Sequence, residues 1–466
     1  MPARGLAARG SLQGTLAGIL HERMTSTRLA DALQAAEEEA SPGSEAAAQV
    51  REARREVDLA SKLPADLTRA LAEATTRGHQ SWVAARAASD ASLFEADLTE
   101  ILQLCREEAA CLAGPGAEPY DALLDKFEPG STQAELAPLF DSLSSELSPL
   151  LRRVQESGRE LDESPARGEF PPAAQEAFGR RVAEQIGFDF QAGRLDLAAH
   201  PFCSGFDAGD VRITWRFEQD DFRPALFGIL HEAGHGLYEQ GLRADWQRTP
   251  LGAASSLGLH ESQSRLWENQ VGRSRAFWEW ALPVFREHFP RAPRFELDQL
   301  YPALHTTKPS LIRVEADQGT YDLHVALRFE IERGLFSGEL EVRDLEGAWN
   351  ERYEAWLGLR PPNVAQGVLQ DIHWSMGGFG YFPTYTLGNL MNAQLFVAAK
   401  QAIGDLDSQM AAGNFTPLLD WLRENVHRHG RQYSAKQILE RASGKPLGSE
   451  AFLAERRSSA RELYGV

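Results

Sequence analysis

The chain of 466 residues has few cysteines and no long apolar run. Its three cysteines, Cys105, Cys111 and Cys203, form an odd set without the C-x-x-C spacing of many metal sites. Such a set argues against a disulfide framework and favours a reducing compartment, with the three residues acting as small buried or half-buried hydrophobes. No apolar stretch approaches the roughly 20 residues of a membrane helix, and the N-terminus lacks the apolar core of a secretory signal. We therefore predict a cytoplasmic protein without a membrane partner.

Basic residues are in the minority. The chain has 48 Lys and Arg residues against 67 Asp and Glu residues, which gives a formal net charge of −19. Nucleic-acid binding depends on clustered Lys and Arg side chains, so this composition argues against a nucleic-acid partner. It leaves open a small-molecule or peptide substrate.

Most of the sequence has the spacing of packed helices. The helical pattern runs from Gly10 to about Gly158, returns after the middle of the chain and continues nearly to Val466. Pro and Gly predict loops at residues 41–43, 114–116 and 129–130, and a further interruption at residues 377–388. No Ser- or Gly-rich linker divides the chain. We expect a mainly α fold in one domain, 1–466, with a helical N-terminal part (1–199), a central part that carries the site motifs (200–390) and C-terminal helices (391–466).

One segment has the alternation of a β-strand. In residues 211–217 apolar and polar side chains alternate, and several are β-branched or aromatic. The preceding segment, FCSGFDAGD, contains glycines that favour a turn. The pattern predicts a small β-hairpin or short sheet within a mainly helical protein.

The strongest chemical motif lies on a predicted helix after this strand. Pro224 suits a first helical turn, and the pentapeptide HEAGH follows at residues 231–235. Residues four apart share one face of a helix, so His231 and His235 can offer two imidazole nitrogens to one zinc ion. Glu232 stands beside them and is suited to take a proton from the attacking water without binding the metal.

A chance pentapeptide with two solvated histidines is the alternative explanation of this motif. Gly234 and Gly236 argue against it. Each glycine inside a helix costs about 1 kcal/mol relative to alanine, so two of them need a packing reason. The pattern predicts metal-dependent hydrolysis of a peptide-like bond.

The third metal ligand has to come from another part of the chain. The metzincin pattern is excluded, because it requires Gly and His where this chain has Tyr238 and Gly241. The best candidate is Glu261 in LGLHESQSRLWENQ, on a predicted second helix. Two histidines and one carboxylate leave a fourth position open, as in catalytic zinc sites. Three other acidic residues, for which surface salt bridges are the ordinary role, are weaker candidates: Glu239, Asp245 and Glu268.

Six separated motifs resemble those of the Taq-type metallocarboxypeptidases, also called the thermostable carboxypeptidase 1 family. In the family's order they are HPF at 200–202, D-x-R-x-T at 210–214, H-E-x-x-H at 231–235, H-E-S-Q at 260–263, I-R-x-x-A-D at 312–317 and G-x-x-Q-D-x-H-W at 367–374. The start, MPARG, is similar to an M-P-x-x-G element that in the family follows a first helix ending in a W-D pair. Here the element begins at Met1, which suggests that the usual first helix is absent.

The resemblance implies a two-lobed helical metallopeptidase with a deep central cleft, similar to neurolysin and angiotensin-converting enzyme, and a homodimer. It also implies removal of single C-terminal amino acids from peptides with a free C-terminus. Together with the residues above, it predicts a zinc carboxypeptidase with Glu232 as general base. Whether Co²⁺ or Mn²⁺ substitutes for Zn²⁺ is left open, since affinity order and availability decide it. The alternatives are an endo-acting oligopeptidase or dipeptidase on the same site, and a helical binding protein without catalysis.

The matched motifs and the segment after them supply further candidates. Donors to the oxyanion of a tetrahedral intermediate contribute on the order of 3 kcal/mol, and we expect this role for Tyr381 and His373, with Tyr385 as a competitor. Core packing with a bonded hydroxyl is the alternative for these tyrosines. Arg313 is the leading candidate to bind the substrate's terminal carboxylate through two parallel hydrogen bonds; an i,i+4 ion pair with Asp317 is its alternative or accompanying role.

Three residues are placed mainly by their motifs. Arg212, with Asp210, is expected to close one end of the substrate groove, and an edge-strand charge is the alternative. His260, next to the third ligand, is expected to support the metal site or to donate to substrate. His200 is placed in a similar role by its motif alone, and a capped loop histidine is the alternative.

Overall fold

A computed structural model of the chain describes residues 6–466. Helices make up 66% and strands 4% of the structure, which confirms the mainly helical fold with a small sheet. The M-P-x-x-G element lies outside the described residues. Within residues 6–466, no helix is both long enough and apolar enough to cross a membrane.

The part before the sheet consists of helices joined by short loops. The predicted breaks at residues 41–43, 114–116 and 129–130 all separate helices, and Ser44 and Thr132 begin two of them because their hydroxyls accept backbone N–H groups. A break without Pro or Gly was missed at Ser89, whose φ of 53° is left-handed and ends a helix. The helices are α1 (Leu6–Met24), α2 (Thr27–Glu39), α3 (Glu45–Lys62), α4 (Ala65–Ala88), α5 (Ser92–Leu112), α6 (Pro119–Phe127), α7 (Gln133–Glu156) and α8 (Pro172–Gln185).

A three-stranded sheet follows, formed by β1 (Gly193–Leu197), β2 (Cys203–Asp207) and β3 (Asp210–Trp215). β3 is the central strand, antiparallel to β2 and parallel to β1. The predicted hairpin is confirmed as β2 and β3, although its second strand ends at Trp215. β1 was missed, because only Leu195 of its residues is buried and the strand lacks a clear alternation. Since β3 has neighbours on both sides, the interpretation of Arg212 as an edge-strand charge is wrong.

Helices resume after the sheet and continue to the C-terminus. A π-helical turn, Leu266–Val271, extends α10 directly. α15 begins inside the predicted interruption, because Pro383 suits its first turn. The helices are α9 (Arg223–Gly241), α10 (Leu257–Arg265), α11 (Arg275–His288), α12 (Leu297–Leu304), α13 (Tyr321–Ser337), α14 (Leu345–Leu357), α15 (Pro383–Ile403), α16 (Leu406–Ala411), α17 (Thr416–Asn425), α18 (Ala435–Ser443) and α19 (Glu450–Tyr464). Short 3₁₀ turns lie at Ser164–Ala166, Ala244–Trp246, Arg313–Glu315, Val342–Asp344, His373–Met376 and His427–His429.

One large hydrophobic cluster packs α4 to α19 and the sheet together, with buried members from Ala74 to Leu453. α9 and α15 are buried on most of their circumference, as expected for helices at the centre of a core. The three cysteines are free; Cys105 is buried, and Cys111 and Cys203 are partly buried. Because α9 is held on most sides, core packing determines the position of the polar residues that it carries.

Candidate active site

α9 carries the H-E-x-x-H pentapeptide into the interior of the protein. Pro224 lies in its first turn, as predicted. Leu230, Ala233 and Leu237, which flank or interrupt the motif, are fully buried. Polar groups at such a position are costly unless they are bonded, so the motif residues need partners.

His231, His235 and Glu261 meet at one point. One ligand atom from each residue lies within 4.8 Å of the others. Oε2 of Glu261 is 3.7 Å from Nε2 of His231 and 3.5 Å from Nε2 of His235. Tetrahedral ligands about 2.0 Å from a zinc ion are roughly 3.3 Å from one another. The two oxygen–nitrogen distances are close to this value, which suits one ion bound by all three residues.

Both histidines direct the same nitrogen to this point, because the other nitrogen is bonded. Nδ1 of His231 donates to Oε2 of Glu268 at 2.9 Å, and Nδ1 of His235 donates to the backbone oxygen of His260 at 3.1 Å. An acceptor opposite Nδ1 keeps a proton there and aims Nε2 at the metal position. The ring orientations are thus set by the protein.

The electrostatic surroundings of the two rings differ. Burial lowers the pKa of His231, but Glu261 and Glu268 more than offset it and raise this pKa to about 9. Burial lowers the pKa of His235 to about 3, and the nearby His260 contributes to the decrease. His231 would have to lose this proton to hold a metal ion, because ligands must be deprotonated.

The three weaker ligand candidates bind other groups. Glu239 accepts a hydrogen bond from Nε2 of His260 at 2.8 Å, and Asp245 pairs with Arg243. Glu268 bonds the far side of the His231 ring. His260 also stacks on His235, with ring centroids 4.4 Å apart, so its ring limits the movement of the His235 side chain.

Glycines allow α9 to come this close to its neighbours. A Cβ at Gly234 would lie 2.6 Å from the backbone oxygen of Gln263 on α10, and a Cβ at Gly236 would lie 2.5 Å from the ring of Phe188. Larger residues would push the helix away from both. The sequence predicted that these two glycines are present for a packing reason, and these close contacts confirm it.

Glu232 lies on α9 next to the convergent atoms and is only 6% exposed. Burial is the main cause that raises its pKa to about 7, and the negative charge of Glu261 adds to the increase. A carboxyl group with a pKa near neutrality can both accept and return a proton. This is the property that a general base in peptide hydrolysis needs.

Three candidate residues form an aromatic group at the start of α15. Nε2 of His373 is 3.2 Å from the hydroxyl of Tyr385, and the ring of Tyr381 lies 5.1 Å from that of His373. Burial lowers the pKa of His373 to about 4, so the ring is neutral at pH 7. Gly388 brings α15 onto the third ligand, since a Cβ there would lie 2.6 Å from Cγ of Glu261.

Arg313 is bonded within a buried polar network. It is 4% exposed. Its Nε and Nη2 donate to Oδ1 of Asp371 at 3.1 and 2.8 Å, and its Nη1 donates to the hydroxyl of Tyr321 at 2.8 Å. The expected ion pair with Asp317 is wrong, because that carboxylate accepts backbone N–H groups from Lys308, Gly319 and Thr320.

The carboxylate of Asp371 is shared by two arginines. Arg328 donates from Nε to Oδ2 of Asp371 at 2.7 Å, opposite Arg313. The two guanidinium groups and one carboxylate leave one positive charge beside Tyr385, whose ring centroid is 4.7 Å from the Arg313 guanidinium. Neither Arg328 nor Asp371 was identified from the sequence, although Asp371 lies in the matched Q-D-x-H-W motif.

The remaining motif residues lie on or next to the sheet. Arg212 is exposed on β3 and forms two hydrogen bonds with Asp210, at 2.9 and 2.8 Å. Its guanidinium also lies over the exposed ring of Phe206. His200 is exposed in the loop before β2.

Arg265 is a site residue that the sequence reasoning missed. It donates from Nε to Oε1 of Glu261 at 2.7 Å and from Nη1 to Oε2 of Glu268 at 3.4 Å. Because it holds Oε1, Arg265 leaves Oε2 of Glu261 directed at the two histidines. The pattern E-x-x-x-R-x-x-E, with spacings of four and three residues on one helix face, is the signal that could have identified it.

The sequence matches the profile of the carboxypeptidase Taq (M32) metallopeptidase family over residues 1–459. The chain belongs to this family. It is 43% identical over 476 residues to thermostable carboxypeptidase 1 of Thermus thermophilus, an alignment that covers 100% of this chain and 93% of that protein. It is 36% identical over 448 residues to carboxypeptidase 1 of Bacillus subtilis, covering 96% of this chain and 89% of that protein.

Solved structures of M32 carboxypeptidases have the same fold. The crystal structure of the Deinococcus radiodurans M32 carboxypeptidase superimposes with a TM-score of 0.95 at 39% identity, covering 100% of this chain and 94% of that one. Metallocarboxypeptidase 1 of Trypanosoma cruzi gives a TM-score of 0.93 at 36% identity, covering 100% and 93%. The prediction of a metallocarboxypeptidase, a hydrolase of peptide bonds that uses a divalent metal, is confirmed.

Proposed function

We propose that this M32 protein is a zinc carboxypeptidase that removes single C-terminal amino acids from peptides. The convergence of Nε2 of His231, Nε2 of His235 and Oε2 of Glu261 carries the proposal, because two imidazoles and a carboxylate are a ligand set of catalytic zinc. Zinc bound there supplies a Lewis acid that polarises the scissile carbonyl and acidifies water. Co²⁺ or Mn²⁺ is expected to substitute, since the ligand types suit them as well.

Glu232 is the general base in this proposal. It is buried on α9, the helix that also carries the two histidines. Because it is the next residue after His231, it lies on a neighbouring face of the helix and its carboxylate is separate from the two Nε2 atoms. It takes the proton of the attacking water and delivers it to the leaving amine. The buried surroundings support this role because they keep bulk water from competing for the proton.

Tyr381 and His373 are proposed to stabilise the oxyanion. They lie together at the start of α15, whose Gly388 packs on Glu261. A neutral imidazole and a phenol can each donate one hydrogen bond to a developing negative charge. Tyr385, which is bonded to His373, is proposed to orient that ring or to contact substrate.

The substrate's terminal carboxylate is proposed to bind near Arg313. The network of Arg313, Arg328 and Asp371 carries one positive charge that no carboxylate within the network balances, and a substrate carboxylate would balance it. Arg212, with its partner Asp210, is proposed to limit the groove on the side of the sheet, and His260 to support His235.

We also propose a homodimer in the cytoplasm, with residues 1–466 as one catalytic domain and a distant relationship to neurolysin and angiotensin-converting enzyme through a two-lobed fold with a deep central cleft. The hydrophobic cluster that spans α4 to α19 supports one domain.

The exposed face of α1 supports the proposed dimer. Four large apolar side chains along this face are 51–67% exposed: Leu12, Leu16, Ile19 and Leu20. Such patches mark interfaces. Leu16→Glu with Ile19→Glu should give monomers by light scattering; an unchanged mass would reject α1 as the interface.

Metal removal and a blocked peptide test the function. Mass spectrometry measures the amino acids released from a peptide library. We expect a chelator to abolish this release and added Zn²⁺ to restore it. Glu232→Gln should keep the metal and lose about 10³-fold in kcat. Peptides with a C-terminal amide should resist cleavage. Hydrolysis that survives complete metal removal would refute the metal site, and rapid cleavage of amidated peptides would identify an endopeptidase instead.

A further inference from the structure

Glu268 occupies a position behind the metal site that the hydrolytic reaction does not use directly. Its Oε2 accepts the Nδ1 proton of His231 at 2.9 Å, on the side of the ring away from Glu261. It lies in the π-helical turn Leu266–Val271 that extends α10. π-helical turns are rare and occur often at functional sites, and here the turn belongs to the segment that follows the Glu261 helix.

Two arginines hold the Glu268 carboxylate in place. Nη1 of Arg265 donates to its Oε2 at 3.4 Å, and Nη2 of Arg273 donates to its Oε1 at 3.4 Å. Arg273 is itself anchored, because it donates to Oδ1 of Asn269 and to the backbone oxygen of Leu304, at 3.1 and 3.0 Å. The Glu268 side chain is 13% exposed. These contacts with two arginines fix the position of the carboxylate behind the His231 ring.

The two histidine ligands differ in the partner that each Nδ1 meets. His235 faces a neutral backbone oxygen, that of His260, whereas His231 faces the side-chain carboxylate of Glu268. A hydrogen bond to a charged acceptor is about twice as strong as one to a neutral acceptor. It also increases the electron density on the other ring nitrogen, so Nε2 of His231 becomes the more basic ligand.

We propose that Glu268 is a positioning residue for the metal centre, which holds His231 in the tautomer and orientation that bind the ion. This inference rests on the proposed metal site and adds to it a residue that touches neither metal nor substrate. Loss of such a partner typically lowers metal affinity about 10- to 100-fold. Both of its effects, ring orientation and negative charge near a cation, act in the same direction.

The test is zinc affinity, measured by competition with a chromogenic chelator, on the full-length protein. Glu268→Gln keeps the size and one acceptor oxygen but removes the charge, and Glu268→Ala removes both. We expect losses of about 10-fold and up to about 100-fold. Glu163→Gln is the matched control, since Glu163 is also held by two cations, Arg223 and Lys308, at 2.8 and 2.7 Å, and touches none of the three ligands. Its zinc affinity should equal that of the unmodified protein.

A second measurement follows the Nδ1 proton of His231 in the unmodified protein and in Glu268→Ala. In the zinc-loaded protein with ¹⁵N-labelled histidine, the nitrogen resonances of His231 should show a protonated Nδ1, identified by their loss in His231→Ala. In zinc-loaded Glu268→Ala this proton should exchange with solvent faster, because its acceptor is gone, whereas a Glu268 that does not orient the ring would leave the exchange unchanged. Zinc affinity unchanged in Glu268→Gln and Glu268→Ala, or unchanged solvent exchange of the His231 Nδ1 proton in Glu268→Ala, overturns the inference.

The outcomes separate this inference from the proposed metal site. His231→Ala should abolish tight zinc binding if the site is correct. Should it bind zinc as well as the unmodified protein, the site itself is wrong. Should it lose zinc while both Glu268 variants keep full affinity, the site stands and only the role of Glu268 fails.

Discussion

Gly234 on α9 packs on Gln263 of α10 so closely that a Cβ at position 234 would lie 2.6 Å from the Gln263 backbone oxygen. Gly234 directly precedes His235, and Gln263 follows Glu261 by two residues. The contact between the two backbones therefore sets the distance over which the histidine pair and the carboxylate meet. The proposed metal site therefore depends on the absence of a Cβ at position 234.

Gly234→Ala should weaken the metal centre through this contact. The added Cβ meets backbone atoms, which cannot move aside as a flexible side chain can, so α9 and α10 must separate. Overpacking of this kind costs about 1–3 kcal/mol of stability, and we expect at least a tenfold loss of zinc affinity in the competition assay. Gly228→Ala is the control on the same helix, because a Cβ there meets nothing within 4 Å. It should keep full zinc affinity and gain up to about 1 kcal/mol; equal behaviour of both variants would contradict the argument.

Tyr381→Phe should lower kcat far more than KM. The substitution removes one hydroxyl donor and leaves the ring that packs on Phe127 and His373. Loss of one oxyanion donor costs about 10²- to 10³-fold in kcat. Substrate binding should change little, because the scissile carbonyl oxygen carries no charge before the attack. Steady-state kinetics on one peptide measure both constants. An unchanged kcat in Tyr381→Phe, with a large decrease in Tyr385→Phe, would transfer the role to Tyr385.

Arg313→Ala should raise KM for peptides with a free C-terminus. The variant removes the positive charge that the Asp371 network holds in excess, while Arg328 still pairs with Asp371. Peptides with a C-terminal amide, already poor substrates, should change little. KM for the matched free and amidated peptides measures the effect, and thermal unfolding verifies that the variant is folded. Equal losses on the two peptides would remove Arg313 from carboxylate binding.

Glu128 should make the stability of the protein depend on pH. It is 3% exposed and accepts the backbone N–H of Gly258 at 2.9 Å. Burial raises its pKa from the usual 4.5 to about 7. The folded protein thus binds a proton that the unfolded chain has released, so this contribution to stability is complete below pH 4.5 and is lost as the pH rises through about 7.

The expected size of this loss is on the order of 3 kcal/mol. Denaturant unfolding between pH 5 and pH 8 measures it. In Glu128→Gln the free energy of unfolding should decrease less with rising pH, because an amide does not titrate. A variant whose pH dependence equals that of the unmodified protein would show that Glu128 is ionised in the folded state throughout.

Patterns that repeat along one element were readable in the sequence. His231 and His235 share a helix face by their spacing alone, and the alternation in residues 211–217 predicted the second strand of the hairpin. Glu261 was selected by its motif and by elimination, and the structure brings it to the histidines. Each of these patterns is local: it involves residues close together in the sequence, whose relative positions are fixed by the geometry of a helix or a strand.

Contacts between distant segments were not readable in the same way. Arg313 was paired with Asp317, its neighbour by helical spacing, but its partner is Asp371, because residues 313–315 form a single 3₁₀ turn and not an α-helix. β1 was missed because its parallel pairing with β3 leaves almost no burial pattern. In both cases local periodicity was the only guide: it gave Arg313 the wrong partner and gave no signal for β1.

The sequence by itself determined which helix bears the histidine pair, which residue beside them can move a proton, and that glycines inside that helix need a close neighbour. Only the tertiary structure decided which carboxylate lies on which side of the His231 ring: Glu261 faces Nε2, and Glu268 is bonded to Nδ1. Both lie on one face of the same segment. Their roles differ because the packing of α9 on α10 presents opposite edges of one imidazole to them, a relationship between helices that no spacing along the chain encodes.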